Sequence, residues 1–390
     1  MLLGAAACSS GSEAKPGADR DGGVIDISGD DAGGAFGEAP TCPPSQPGIP
    51  IITLPNTWTW IPVPEAKCRD GKPTGMGVRL KPGSKKLFIY LQGGGACFNG
   101  ASCGLTASSF DRGGFDSWKD TYGHWGIMND ANPKNPVKDW SAVFIPYCSG
   151  DIFGGSVESA NVPSGPPNQR FTGVANMNAY LKRIIGTFSD VDQVLLTGSS
   201  AGGYGASVSY DRVATALCPR PVVLIDDAGP ILSDSYFAPC LQKRLRGVWN
   251  LDATLPSGCR SCGGADASVG GGMVNAVPYV IRQFPKGRFG LISSNQDWSI
   301  RQFMSFGENN CAALDGIPLG YDGAKFSKGL LELRDVYLKP AGNAGTYFVS
   351  GDTHTFLTTD AFFSTTVQNV ALPDWVAGLL RGDKPGHVGP

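Results

Sequence analysis

A serine framed by glycines, between an apolar segment and a helical one, constrains this chain more than any other feature. Residues 191–196 are branched and apolar, which predicts a buried strand, and residues 206–217 predict a helix. The motif Gly198-x-Ser200-x-Gly202 lies between them. A tight turn forces its central residue into strained backbone angles, and flanking glycines let the strand and helix approach closely. The pattern therefore predicts a nucleophile elbow with Ser200 at its tip.

Other readings of this motif depend on its surroundings. A plain glycine-rich loop would give the same short pattern, whereas a phosphate-binding loop is disfavoured because no lysine follows the glycines.

Residues 87–91 predict a second buried strand, and Gly93 to Gly95 follow it almost directly. Backbone N–H groups in such a loop can point at a developing oxyanion without obstruction by a Cβ atom. A flexible glycine turn is the alternative.

The remaining pattern predicts an α/β fold. Further buried strands are predicted at 140–148, 221–225, 289–293 and 346–350, and apolar residues at helical spacing predict a helix over 174–188. Strands that alternate with helices indicate a mostly parallel central sheet flanked by helices. Functional residues should then lie just past the carboxyl ends of the strands.

Composition excludes several classes of function. The 390 residues carry a net charge of -2 and 17% charged side chains, so no basic surface points to nucleic acid. Eleven cysteines suggest an oxidising compartment. Cys259 and Cys262 form a lone C-x-x-C pair without a nearby histidine, which favours a loop disulfide over a metal or redox site. We expect neither a metal nor an organic cofactor.

The N-terminal residues predict export. Residues 1–8 resemble the end of a secretory signal, and the small residues before Cys8 are similar to a bacterial lipobox, with Ala5 where leucine is preferred. An ordinary signal remnant with a stray cysteine is the alternative, although removing Cys8 leaves an even number of cysteines for pairing. Residues 9–41 lack large apolar side chains and predict a flexible linker. The catalytic domain is then expected over 42–390.

A serine nucleophile needs a base, and histidine is the usual one. The chain has three histidines. His387 lies in a Gly/Pro-rich C-terminal segment and is predicted to be a solvated tail, while His124 lies in an aromatic loop before the elbow. His354 follows the last predicted strand, where the base of an α/β-hydrolase is found. We therefore expect His354 to be the base.

The acid is less constrained than the base. Asp297 follows the strand before that of His354, which gives the α/β-hydrolase order Ser, Asp, His. Asp226 and Asp227, one strand earlier, and Asp352, close to His354 in sequence, are the alternatives. Asp352 could also cap a turn.

Several segments taken together resemble one known family. They are Leu91–Asn99 with Cys103, Tyr147–Asp151, Gly198–Gly203, Asp297–Trp298 and Asp352–His354. The combination is similar to the pectin acetylesterase family, which includes the Notum carboxylesterases, from about residue 57 onward.

The resemblance implies an α/β-hydrolase fold and a set of catalytic roles. Ser200 would be the nucleophile, Asp297 the acid and His354 the base. The implied oxyanion donors are the backbone N–H groups of Gly94 or Gly95 and of Ala201.

The resemblance also implies two disulfides and shows two departures from the family. The implied disulfides are Cys97–Cys103 and Cys68–Cys148. The family usually has glutamate where Gln92 stands, and tryptophan in the glycine loop where Gly95 and Ala96 stand. Loss of that large ring should reshape the acyl side of the pocket.

These observations predict a secreted or lipid-anchored serine esterase, expected to be a monomer, that hydrolyses short acyl esters. An O-acetyl group on a polysaccharide is the expected substrate. One alternative is a lipase or protein depalmitoleoylase with a long acyl pocket. The other is a catalytically silent surface-binding protein on the same scaffold.

Overall fold

The computed structural model describes residues 42–43, 46–256, 258–264, 270–318 and 320–390. The signal remnant of residues 1–8 with Cys8, and the linker predicted over residues 9–41, lie outside the described residues. Their proposed roles, and the boundary at residue 42, stay predictions.

The strands follow one another along the described chain with intervening helices. The strands are β1 Thr59–Lys67, β2 Pro73–Arg79, β3 Lys86–Leu91, β4 Ser141–Ile145, β5 Val157–Ala160, β6 Gln169–Phe171, β7 Gln193–Ser199, β8 Val222–Asp227, β9 Arg288–Ser294, β10 Ala344–Val349, β11 Thr366–Val367, β12 Val370–Ala371 and β13 His387–Val388. The helices are α1 Gly100–Gly104, α2 Arg112–Thr121, α3 Gly173–Thr187, α4 Ala201–Leu217, α5 Pro239–Trp249, α6 Ala276–Gln283, α7 Trp298–Met304, α8 Glu308–Cys311, α9 Gly323–Glu332, α10 Lys339–Ala341, α11 Ala361–Ser364 and α12 Leu372–Arg381.

Within the described residues, nine strands form the central sheet in the order β1-β2-β4-β3-β7-β8-β9-β10-β13. Strands β4 to β13 of this order are parallel to their neighbours, and β2 runs antiparallel to both β1 and β4. The predicted α/β architecture with a mostly parallel sheet is confirmed. Because β7, β8, β9 and β10 are adjacent and parallel, their carboxyl ends meet at one edge.

Helices cover both faces of this sheet, so its central strands are buried on both sides. Along β3, Leu87, Ile89 and Leu91 contribute to the core beneath α3 and α4. The alternate residues Phe88 and Tyr90 contribute to the core beneath α2 and α12. Side chains alternate between the faces of a strand, so a strand buried on both faces needs an uninterrupted apolar run.

Disulfides connect loops around the sheet. They are Cys42–Cys218, Cys68–Cys148, Cys97–Cys103, Cys240–Cys311 and Cys259–Cys262. The second and third pairs are the ones that the family resemblance implies, and the last joins the cysteines of the C-x-x-C loop.

One expectation about the C-terminus is wrong. His387 does not lie in a solvated tail: it begins β13, which adds to the sheet beside β10. Its Nδ1 lies 3.1 Å from the Thr346 Oγ1. The backbone of this short segment satisfies the hydrogen-bonding groups of β10 that would otherwise form an open sheet edge. Elsewhere in the described part of the chain, none of the helices is long and apolar enough to cross a bilayer.

Candidate active site

Ser200 occupies a sharp turn between β7 and α4. Its backbone has φ 60° and ψ -124°, a conformation that costs a non-glycine residue of order 1–3 kcal/mol. The Ser200 N–H donates to the carbonyl oxygen of Asp227 at 2.7 Å, and the Ser200 carbonyl accepts from the N–H of Gly203 at 2.8 Å. These contacts hold the strained serine at the carboxyl edge of the sheet.

The two glycines of the motif are required by close backbone approach. A Cβ atom on Gly198 would lie 2.2 Å from the carbonyl oxygen of Gly202. A Cβ atom on Gly202 would lie 2.0 Å from the carbonyl oxygen of Leu91 at the end of β3. Any larger residue would push α4 away from the sheet, so the elbow geometry depends on both positions.

His354 and Asp297 form a hydrogen-bonded pair at the same edge of the sheet. The His354 Nδ1 lies 2.8 Å from Asp297 Oδ2 and 3.0 Å from Oδ1. Asp297 is fully buried, whereas the His354 side chain is 17% exposed. An imidazole whose Nδ1–H is held by a carboxylate presents Nε2 as the basic nitrogen, which is the tautomer a serine nucleophile needs.

A second hydrogen bond holds the Asp297 carboxylate in place. Asp297 immediately precedes α7, and its Oδ1 accepts from the N–H of Ile300 at 2.9 Å. Its carboxylate therefore caps a helix and orients the imidazole at once. Asp352 is exposed, and its carbonyl oxygen accepts from the N–H of Trp298 at 3.1 Å. His124 is also exposed.

The other two candidate acids lie inside the sheet, at the end of β8. Ser207 Oγ donates to Asp226 Oδ2 at 2.7 Å, and burial raises the pKa of Asp226 to about 7. Ser199 Oγ donates to Asp227 Oδ2 at 2.7 Å, and burial raises the pKa of Asp227 to about 6. The His354 ring is hydrogen-bonded to Asp297 and not to Asp226 or Asp227.

The glycine loop after β3 packs directly against the elbow. A Cβ atom on Gly93 would lie 3.0 Å from the Ser200 Cβ. Gly94 and Gly95 have φ of 152° and 79°. Ala201 is the first residue of α4, where backbone N–H groups have no acceptor within the helix. The glycine loop and the first turn of α4 therefore both lie beside Ser200, and their N–H groups are the predicted oxyanion donors.

An apolar cavity opens beside Ser200, and we call it the elbow cavity. It is lined by Gly95, Ala96, Phe98, Ile152, Ser200, Ala201, Tyr204, Ile231, Phe237, Leu241, Leu245, Trp249, Met273, Ile300, Phe303 and Met304. The centre of a water molecule can reach about 70 Å³ of its interior. Seven of these sixteen residues come from α5, α7 and the segment near residue 273, none of which the sequence pattern marked as part of a site.

The loop after β4 borders this cavity, as its sequence position predicts. Ile152 lines the cavity with φ 49°, an unusual conformation for a β-branched residue. The neighbouring Asp151 is buried and stabilises the turn: its Oδ1 accepts from Ser149 Oγ and from the Phe153 N–H, and its Oδ2 from the Gly173 N–H. Burial raises the pKa of Asp151.

Comparison with known proteins gives a consistent assignment. The model of the family described as Pectinacetylesterase matches residues 57–263. This range includes the glycine loop and Ser200 but ends before Asp297 and His354. No group of three or more potential metal-ligating side chains occurs among the residues that the structure describes.

Curated relatives match a shorter part of the chain. Palmitoleoyl-protein carboxylesterase NOTUM of Mus musculus is 34% identical over 154 residues, which is 38% of this chain and 30% of that protein. Palmitoleoyl-protein carboxylesterase notum2 of Xenopus laevis is 32% identical over 152 residues, with the same coverage of 38% and 30%. The NOTUM protein of Drosophila melanogaster is 28% identical over 217 residues, or 49% and 31% of the two chains. The chain thus matches less than a third of the length of these relatives.

Proposed function

Because the chain belongs to the pectinacetylesterase family, we propose that it is a serine carboxylesterase with Ser200 as nucleophile, His354 as base and Asp297 as acid. One observation carries this proposal. The strained Ser200 follows β7, and the hydrogen-bonded Asp297 and His354 follow β9 and β10, so all three lie at the carboxyl edge of the parallel sheet. Ser200 also lines a cavity that can receive an acyl group. A protein that merely bound ligands would need no strained serine there.

The first half of the reaction transfers the acyl group to the serine. The Ser200 Oγ attacks the ester carbonyl carbon while its proton passes to His354 Nε2. The carbonyl oxygen becomes an oxyanion stabilised by the N–H groups of Gly94 or Gly95 and of Ala201. When the intermediate collapses, the bond to the alcohol oxygen breaks and that oxygen takes the proton from His354.

The second half releases the acid. Water gives a proton to His354 Nε2 and its oxygen attacks the acyl carbon, which re-forms the oxyanion. The bond from that carbon to Ser200 Oγ then breaks, and Oγ recovers the proton. Asp297 stabilises the imidazolium in both halves without taking up a proton.

The size of the elbow cavity supports an acyl group of intermediate length. One water molecule requires roughly 10–15 Å³ of space accessible to its centre, so about 70 Å³ accommodates about five waters. A methylene group has nearly the volume of a water molecule, so the cavity fits an acyl chain of about four to seven carbons by the same estimate. By this estimate an acetyl group would fill only part of the cavity, and a palmitoleoyl chain, which the relatives' names specify, would need more space.

Other features indicate what kind of alcohol the ester carries and in which cellular compartment the protein acts. His354 is partly exposed, so the leaving alcohol faces solvent and can belong to a large molecule such as an acylated carbohydrate. The five disulfides support a location in an oxidising, extracytoplasmic compartment. Attachment to a membrane through Cys8 would add a lipid anchor to that location.

Hydrolysis of p-nitrophenyl esters from acetate to palmitate tests the proposal. We expect kcat/KM to be highest for butyrate or hexanoate and to fall for longer chains, where the ester no longer fits the cavity. Ser200→Ala should lower kcat about 10⁴-fold or more and abolish labelling by a fluorophosphonate. Ser209→Ala, a buried serine in the same helix, is the matched control and should retain parental turnover.

The outcomes separate the candidate functions. A maximum at acetate would support the acetylesterase prediction, and rates that rise through palmitate would support the long-chain alternative. An intact protein that neither hydrolyses these esters nor takes up the label would support a silent binding scaffold. Leu245→Ala enlarges the cavity floor, so it should move the maximum toward octanoate.

A further inference from the structure

Asp227 is a fully buried carboxylate that the proposed reaction does not use. It ends β8, next to the strand that leads into the elbow. Its Oδ2 accepts from Ser199 Oγ at 2.7 Å and from the Leu357 N–H at 2.9 Å. Both carboxylate oxygens lie 3.0 Å from the Phe356 nitrogen.

The two segments are the ones that carry the nucleophile and the base. Ser199 directly precedes Ser200, and the Ser200 N–H itself donates to the Asp227 carbonyl oxygen. Phe356 lies two residues after His354. Asp227 therefore holds the elbow through its backbone and its side chain, and it holds the histidine segment through its side chain.

Both segments contain strained residues that need such support. Ser200 has φ 60°, and Thr355, a β-branched residue beside His354, has φ 67°. Each such residue costs of order 1–3 kcal/mol and persists only where surrounding contacts determine its conformation. The two amide donors after Thr355 turn toward Asp227, so this carboxylate stabilises the turn that presents His354.

We propose that Asp227 is a positioning residue whose carboxylate sets the separation of Ser200 and His354. This inference rests on the proposed function. Asp227 is not an alternative triad acid, because the His354 Nδ1 is bonded to Asp297. An error of about 1 Å in the placement of reacting groups can lower a rate about 100-fold. Although burial raises the pKa of Asp227 to about 6, its carboxylate is ionised at pH 8 and can accept all of these hydrogen bonds.

The test measures kcat and KM at pH 8 in the full chain, per active site titrated with a fluorophosphonate. Asp227→Ala should lower kcat about 100-fold on p-nitrophenyl butyrate while KM changes less than about twofold, because the acyl cavity is untouched. Ser199→Ala removes only the side-chain hydrogen bond between the elbow and Asp227 and should lower kcat about tenfold. Asp227→Asn keeps an acceptor oxygen and should recover part of the loss.

A double variant separates positioning from general destabilisation. Ser199→Ala combined with Asp227→Ala should be no slower than Asp227→Ala alone, because both changes break the same link. If the two substitutions acted independently, their fold-losses in kcat would instead multiply. Asp226→Asn is the matched control. The Asp226 side chain accepts from Ser207 Oγ, whereas Ser199 and Phe356 donate to Asp227, so this variant should keep the kcat of the parent.

Each result decides the inference. A folded Asp227→Ala variant with the kcat of the parent would overturn the inference. If that variant does not fold, parental kcat in both Ser199→Ala and Asp227→Asn would overturn it. Losses that multiply in the double variant would also overturn it. If the parent itself is neither labelled nor active, the proposed function fails, and the inference fails with it; an active parent with fully active variants refutes the inference alone.

Discussion

The buried carboxylate of Asp226 should make this protein less stable as the pH rises, and Asp226→Asn should remove that effect. Burial raises the pKa of Asp226 to about 7, well above the ordinary aspartate value of about 4. In the unfolded chain the same group returns to its ordinary pKa. Between about pH 4 and 7 the folded protein therefore keeps a proton that the unfolded chain has released, and stability falls with rising pH across this window.

The magnitude follows from the size of the shift. A tenfold change in proton affinity corresponds to about 1.4 kcal/mol, so the rise in the pKa of Asp226 from about 4 to about 7 costs the folded state about 4 kcal/mol once the pH exceeds 7. At pH 5 the cost is about 1.5 kcal/mol, because the unfolded carboxyl has by then lost most of its proton. An asparagine carries no charge at either pH and can keep the hydrogen bond with Ser207. Asp226→Asn should therefore raise the free energy of unfolding above that of the parent. This gain should be about 3 kcal/mol larger at pH 8 than at pH 5.

Urea unfolding of both proteins at pH 5 and pH 8, with disulfides intact, measures this difference. Asp374→Asn, which changes an exposed aspartate in α12, is the control and should show the same gap from the parent at both pH values. Asp227, whose charge adds to the rise in the pKa of Asp226, is present in both parent and variant. If the advantage of Asp226→Asn is constant or shrinks between pH 5 and pH 8, the reasoning from burial is wrong.

Two further predictions concern the acid and a disulfide. Asp297→Asn should lower kcat on p-nitrophenyl butyrate about 10⁴-fold, because it favours the wrong tautomer of His354. Asp352→Asn should leave kcat within a few-fold of the parent. The opposite order of effects would identify Asp352 as the acid. Replacing Cys68 and Cys148 by alanine opens a link with a sequence separation of 80, which should lower the free energy of unfolding by about 4 kcal/mol. Chemical unfolding measures that loss, and a change below about 1 kcal/mol would show that the loop is held by other contacts.

Features governed by local geometry were predictable from the sequence. A short apolar run, a Gly-x-Ser-x-Gly turn and a helix predict an elbow because the backbone approach at Gly202 admits no side chain. The parallel strands are recognisable because burial on both faces requires continuous apolar residues. Once the fold class was inferred, the position of His354 after the last long strand followed from the order of the elements.

Features that depend on contacts between distant segments needed the tertiary structure. Asp226, Asp227, Asp297 and Asp352 are all plausible acids in sequence, since each lies near the end of a strand or beside the histidine. The structure separates them by the distance to the His354 ring, which depends on how the loops fold back over the sheet edge. The edge strand at His387 was missed for a similar reason, because two paired residues leave almost no periodicity to detect.

Residues close together in the chain were enough to predict a mostly parallel α/β sheet with a strained serine at one strand end. The volume of the elbow cavity and the link from Asp227 to both proposed catalytic segments depend instead on how distant parts of the chain pack. Their walls and contacts come from residues more than a hundred positions apart. Such contacts are selected by the packing of the whole molecule, so no local pattern records them.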